Sequence, residues 1–107
     1  MINMEDFKKL EIRIGKVKSA EKVEGADRLL KFIFDIGEEE RQVVSGIAES
    51  YPDPEVLIGK EVPIVVNLEP RIIKGIESQG MVLAAIADGL PVLLHPDREV
   101  PVGSLVK

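Results

Sequence analysis

Along LEIRIGKVKSA (Leu10–Ala20), apolar Leu10, Ile12 and Ile14 alternate with charged Glu11 and Arg13. A period of two sends successive side chains to opposite faces, so this stretch predicts a half-buried strand. Past Gly15 the phase changes, because Val17 is apolar while Lys16 and Lys18 are charged. One extra residue at a glycine shifts a strand in this way. A bulge is therefore expected at Gly15, with Arg13, Lys16 and Lys18 all facing outward. A sharply bent first strand is what closing a small barrel needs.

The same period returns in LLKFIFDIG (Leu29–Gly37), where Leu30, Phe32, Phe34 and Ile36 share one face. GEEER (Gly37–Arg41) reads as a hairpin turn and RQVVSGIA (Arg41–Ala48) as the third strand. In YPDPEVLIGK, Asp53 before Pro54 is placed to cap a short helical turn. EVPIVVNLEP (Glu61–Pro70) is the fourth strand, with Pro63 implying an edge or a bulge, and MVLAAIA (Met81–Ala87) is the fifth. The expected fold is all-β: a five-stranded OB-fold Greek-key barrel with one short helix between strands three and four. The barrel takes about residues 7–87 of a single 1–107 domain. Residues 88–107 form a C-terminal β extension carrying Leu90, Val92, Leu93, Leu94, Val100, Val102, Leu105 and Val106. So many apolar side chains must extend the core or meet another chain.

Charge changes the picture only when it is localised. Fourteen basic and nineteen acidic residues give a net −5, which taken whole argues against a nucleic-acid binder. Most of the excess acid lies in residues 38–70, with two basic residues against eight acidic ones. Binding depends on the field over one face, so a local basic face survives the balance. The chain has no cysteine, which suits a reducing cytoplasm. No run approaches a membrane span, and the start lacks the apolar core of a signal peptide.

Catalytic chemistry is not in evidence. His95 is the only histidine, so no zinc set can form. Ser45 precedes Gly46 without a nucleophile elbow, and GADRLL lacks the glycines of a phosphate loop. No catalytic, metal or cofactor site is expected. A binding surface is: Arg13, Lys16 and Lys18 on the first strand and Lys31 on the second would line one barrel face. Arg71 and Lys74 would sit in the loop between strands four and five, the places where OB-folds hold oligonucleotides. The same charges would equally serve as a solubilising surface. With three Phe, one Tyr and no Trp, base stacking is poorly supplied, so an RNA ligand would be read by backbone and shape.

FKKLEIRIGKV (Phe7–Val17), RQVVSGIA, IGKEVPIVVNLEPR (Ile58–Arg71) and ESQGMVLAA (Glu77–Ala85) resemble the C-terminal tRNA-binding domain of methionyl-tRNA synthetases. The same family includes a free bacterial tRNA-binding protein and eukaryotic synthetase cofactors. VEGADRLL and YPDPEVLIGK are similar to the synthetase-linked form. The resemblance implies a cytoplasmic, non-catalytic module that binds folded tRNA with little sequence specificity. Its partners would be tRNA, a second copy of itself and a synthetase catalytic region in cis or trans. The family's surface maps onto Lys31, Asn67, Arg71, Lys74, Ser78 and Gln79, with Gly80 and Met81 shaping the turn. Ser78 and Gln79 would donate to phosphate or ribose oxygens, Gly80 would supply the turn's backbone conformation, and Met81 would begin a buried strand. The tail implies dimerisation through Leu90, Val92, Leu94, Val100 and Val102. Two alternatives stand beside this: an export chaperone of the same barrel family, which would lack an intact SQGM block, and a dimerisation-only domain.

Overall fold

The computed structural model describes residues Met1–Lys107. An N-terminal helical turn, α1 (Met4–Lys8), is capped by Asn3, whose side chain accepts from the Asp6 N–H. Three long strands follow: β1 (Ile12–Val23), β2 (Ala26–Asp35) and β3 (Glu40–Ser45). Two 3-10 turns, Ala48–Ser50 and Pro54–Leu57, stand where one helix is expected. Asp53 does occupy the N-cap position of the second turn, but its side chain makes no capping bond.

β4 (Glu61–Val65) is followed by two short strands, β5 (Arg71–Ile73) and β6 (Ile76–Ser78), which pair only with each other. The predicted fifth strand is divided. Met81–Val82 forms β7 beside β4, whereas Ala84–Ala87 forms β8, which pairs with β9 (Leu90–Leu93). β10 (Leu105–Val106) returns to pair with the start of β1. The sheet order is β3-β2-β1-β4-β7, all antiparallel, an all-β barrel.

The core is a cluster of fifteen buried residues in which Leu30, Phe32, Phe34 and Ile36 of the second strand region meet Val43, Val62, Ile64 and Val82. Phe32 and Phe34 stack with centroids 5.1 Å apart. A period-two strand buried on one side produces this, as the alternation of β2 requires.

The first strand departs from expectation. Gly15 is in unbroken register with Val62 of β4, so no bulge lies there. Gly15 itself faces the core: a Cβ would stand 3.1 Å from the Phe34 ring. The first irregularity falls at Lys18, between the pairs Val17–Phe34 and Ser19–Ile33, and a second lies at the hairpin end between Lys22 and Val23. Ile12 and Ile14 are buried on the opposite face of β1, beside Val65 and Pro63. The extension runs along this part of the strand: Ile14 donates to the Ser104 carbonyl at 2.9 Å, and the Gly103 N–H donates back to Ile14 at 2.7 Å. Pro63 is therefore tolerated inside the sheet, because Ile14 opposite it turns its own polar groups to the extension.

The extension is anchored at four further places. Leu93 enters the core, and its N–H donates to the Tyr51 hydroxyl at 2.9 Å. Glu61, buried, accepts from the Val100 N–H through its carboxylate and from His95 Nδ1 through its carbonyl. Arg13 donates to the Gly103 carbonyl at 2.8 Å.

Candidate nucleic-acid interface

β3 ends the sheet order, and its outer edge carries N–H and C=O groups that burial would leave unpaired. Residues 77–80 supply the missing partners, largely through side chains. Val44 N–H donates to Ser78 Oγ at 3.0 Å, and Gln42 N–H donates to Gln79 Oε1 at 3.0 Å. Gln79 N–H donates to the Gln42 carbonyl at 2.7 Å, and Gln42 Nε2 to the Glu77 carbonyl at 2.8 Å. Arg41 completes the seam by donating to the carbonyls of Val66 and Gln79, while Glu39 holds its guanidinium. A Ser–Gln pair thus stands in for a strand and closes the barrel.

This revises the role of the turn. Ser78 is 2% exposed, and its hydroxyl is bonded to Val44 and to the Gly80 carbonyl. Gln79 is half-buried, with its amide nitrogen on Glu77 at 2.9 Å. The Ser78 hydroxyl is thus committed within the chain, whereas Gln79 keeps one amide N–H beyond its bond to Glu77. Gly80 does not have a positive φ. It is glycine because a Cβ there would stand 2.9 Å from the Val65 carbonyl oxygen. Met81 begins β7, but it is 45% exposed rather than buried. The role of Arg41 depends on a register that no local sequence pattern encodes.

A direct test follows. Ser78→Ala leaves the buried Val44 N–H without an acceptor and should cost about 1–3 kcal/mol. Urea unfolding of Ser78→Ala beside Ser78→Thr, which keeps the hydroxyl, checks it. Equal stability of parent and alanine variant would mean the seam is made elsewhere.

The barrel-face cations are similarly engaged. Lys31 stands opposite Glu21 and pairs with it at 2.9 Å. Lys18 is paired with Glu40, whose hydrogen bond and charge raise the pKa of the amine. Arg13 is bonded to Glu11 and Gly103 instead of facing outward free. Lys16 has no acid within ion-pair distance, but it is half-buried. Asn67 is a clamp on the N-terminal segment: Oδ1 accepts from Glu11 N–H at 2.8 Å, and Nδ2 donates to the Lys9 carbonyl at 2.7 Å.

Arg71 and Lys74 differ. Both are exposed and neither has an acid partner. They ride on the β5–β6 hairpin, turned at Lys74 (φ 51°) and Gly75 (φ 79°). Two successive left-handed residues give the tight turn that suits a twisted hairpin. Beneath Arg71, a groove of about 460 Å³ runs between the hairpin base and β7, lined by Leu68, Glu69, Pro70, Ser78, Gly80 and Met81 with Arg71 itself.

A family model for the tRNA binding domain matches residues 12–105, which include the seam, the hairpin and most of the extension. The chain belongs to the tRNA-binding domain family. It is 55% identical over 105 residues to a methionine–tRNA ligase of Archaeoglobus fulgidus, covering 98% of this chain and 16% of the ligase. The chain therefore spans about one-sixth of such relatives. Among solved structures, a MetRS related protein from Pyrococcus horikoshii superposes with a TM-score of 0.94 at 42% identity, covering 100% of this chain and 98% of that one. The chaperone CsaA of Bacillus anthracis gives 0.91 at 36% identity, covering 100% and 99%. Within the family frame, the residues resembling a binding block sort into two groups. Ser78, Gln79 and Gly80 build the barrel, while Arg71 and Lys74 stand free on its rim.

The dimerisation candidates also divide. On the β8–β9 hairpin, Ala85 and Ala87 stand opposite Val92 and Leu90, and all four are exposed. Leu94 follows, also exposed, whereas Val100 and Val102 are half-buried in their own chain. No helix is long and apolar enough to cross a membrane.

Proposed function

We propose that this chain is the non-catalytic tRNA-binding module of a cytoplasmic methionine–tRNA ligase, joined to the catalytic region in cis or in trans. It binds folded tRNA through backbone and shape with little sequence specificity, and it forms a homodimer. The observation that carries the RNA reading is the pair Arg71 and Lys74, exposed cations unpaired by any acid of the chain. The barrel face contributes less, since Lys18 and Lys31 each carry an acid partner that RNA must displace. An acidic chain can then bind a polyanion at one rim. Supporting the shape reading, Phe32 and Phe34 are fully buried and offer no stacking platform. The exposed apolar face of β8–β9 supports the dimer.

Replacing Arg71 and Lys74 together by alanine should weaken tRNA binding and make the slope of log K against log salt shallower by roughly two. Lys31→Ala should change the slope by less. Filter binding from low to moderate salt measures both. A double variant with the parent slope would move the site elsewhere, and an equal response to Lys31→Ala would restore the barrel face. The likeness to the Bacillus anthracis chaperone supports a second reading, peptide binding. An unfolded peptide that displaces tRNA would favour it.

A further inference from the structure

Glu61 is the one buried acid of the chain, 7% exposed, and only one of its carboxylate oxygens is partnered. Oε1 accepts from the Val100 N–H at 2.9 Å, while Oε2, equally out of solvent, has no hydrogen-bond partner in the chain. A buried carboxylate oxygen left unpaired is unfavourable, more so than a neutral acceptor. The chain's own cations do not answer it. Lys16 stands opposite Glu61 across β1 and β4, and Lys60 and Arg98 flank it. Neither lysine forms an ion pair, and Arg98 is held by Asp97 at 3.0 Å.

The surroundings are rich in acceptors. Glu61 lines a cavity of about 330 Å³ bounded by Gly59–Glu61 and His95–Glu99, with no aliphatic or aromatic side chain beyond the Pro96 ring. His95 donates from Nδ1 to the Glu61 carbonyl at 2.7 Å, since a carbonyl oxygen only accepts. Its exposed ring, when neutral, therefore offers Nε2 as a further acceptor. Glu99 is exposed and has no basic partner. No three His, Asp or Glu side chains stand close enough to hold a metal ion. A cation that hydrogen-bonds suits the set better. An ammonium has three N–H donors and a guanidinium five, and neither has an acceptor.

We propose that this cavity binds an organic cation, a primary ammonium or a guanidinium, with Glu61 as the anchoring acceptor and Glu99 and His95 around it. Val100 and His95 are fastened to the same residue, so an occupant would tie the loop between them to β4. The site shares no residue with the Arg71–Lys74 hairpin and does not depend on RNA binding. Two sources carry this chemistry: a free polyamine, and a lysine or arginine side chain of another polypeptide.

The test uses the full chain and four probes at matched ionic strength: spermidine, a blocked Gly-Lys-Gly peptide, tetramethylammonium and Mg²⁺. The Val100 amide resonance reports the site directly, because its hydrogen bond ends on the same carboxylate. Spermidine or the peptide should shift it saturably and raise the melting temperature; which of them does so assigns the source. Tetramethylammonium, which has the charge but no N–H, should do neither. Glu61→Gln should weaken binding about tenfold or more, the range for a hydrogen bond to a charged group. Glu99→Gln should weaken it less and keep the parent melting temperature, and Lys60→Ala, which removes a like charge, should tighten it.

An equal response to tetramethylammonium, or binding that survives Glu61→Gln, leaves only the general field of an acidic chain and overturns the site. Should Glu61→Gln fail to fold, parent-like affinity in both Glu99→Gln and Lys60→Ala overturns it instead. A saturable shift with Mg²⁺ and none with either amine would make this a metal site and sink the proposal. So would Lys16→Ala or Lys60→Ala destabilising the chain as much as Glu61→Gln, since the chain's own amine would then occupy the place.

Discussion

Gly103→Ala should be the most damaging single methyl that this chain can receive. Gly103 has φ +86°, a conformation that strains any L side chain, and an added Cβ would fall within contact distance of the Ile36 carbonyl oxygen. Its N–H and C=O are already held by Ile14 and Arg13. The two backbones therefore cannot separate without breaking the return of the extension to β1. Backbone strain and overpacking together should cost about 3 kcal/mol, lowering the melting midpoint by more than about 10 °C. Gly46→Ala is the control, since its Cβ would lie 4.0 Å from the nearest atom, the Arg28 carbonyl oxygen. Deleting residues 88–107 should go further and leave no cooperative transition, because Leu93 and every anchor around Glu61 and Tyr51 leave with them. A Gly103→Ala variant that melts with Gly46→Ala would show that the extension is dispensable to the barrel.

Aspartate at both Leu90 and Val92 should convert a dimer to a folded monomer. These side chains lie on the hairpin face that the chain leaves uncovered, so placing two charges there does not touch its own core. At an apolar interface, buried unpaired carboxylates cost several kcal/mol each, enough to shift a micromolar equilibrium fully. Sedimentation velocity at micromolar concentration should give one dimeric boundary for the parent and a monomeric one for the variant, with matching melting curves once concentration is taken into account. A monomeric parent would dispose of the dimer. An unfolded variant would mean that the face is internal packing after all. Val100→Asp is the contrast: that position is half-buried within its own chain, so instability should dominate.

Much of the barrel was legible because β2 is buried on one side only, and its alternation names Leu30, Phe32, Phe34 and Ile36 as core. The same rule misplaced the bulge in β1 by three residues. That strand is buried on both faces, with Ile12 and Ile14 on one and Gly15 and Val17 on the other. A period-two signal cannot separate a two-sided strand from a bulged one. The hairpin turns carried a readable mark, Lys74-Gly75 and Asp88-Gly89, but the break between β7 and β8 at Leu83 lies inside a continuous apolar run with no turn residue to mark it.

The site was less legible for a different reason. Ser78 and Gln79 have the right chemistry to meet a phosphate, and the same chemistry meets the β3 backbone some 34 to 37 positions away. Pattern gives the donor and acceptor inventory but not the address. The barrel cations failed likewise. Whether Lys31 faces Glu21 or water depends on register, which is fixed by the whole sheet.

The pairing of Arg13 with Leu105 has a consequence for how the chain comes to be folded. The first strand cannot receive its last neighbour until nearly the whole domain has been synthesised. Ile12 and Ile14 must wait, uncovered, while all the intervening strands form. Joining positions 13 and 105 demands closure of a very large loop, whose lost freedom has to be met before the contact repays it. Such long-range pairing places the domain among slow-folding topologies. During that wait, an apolar strand edge is open to every neighbouring polypeptide. A domain stable when finished is therefore at its most vulnerable just before its last few residues arrive.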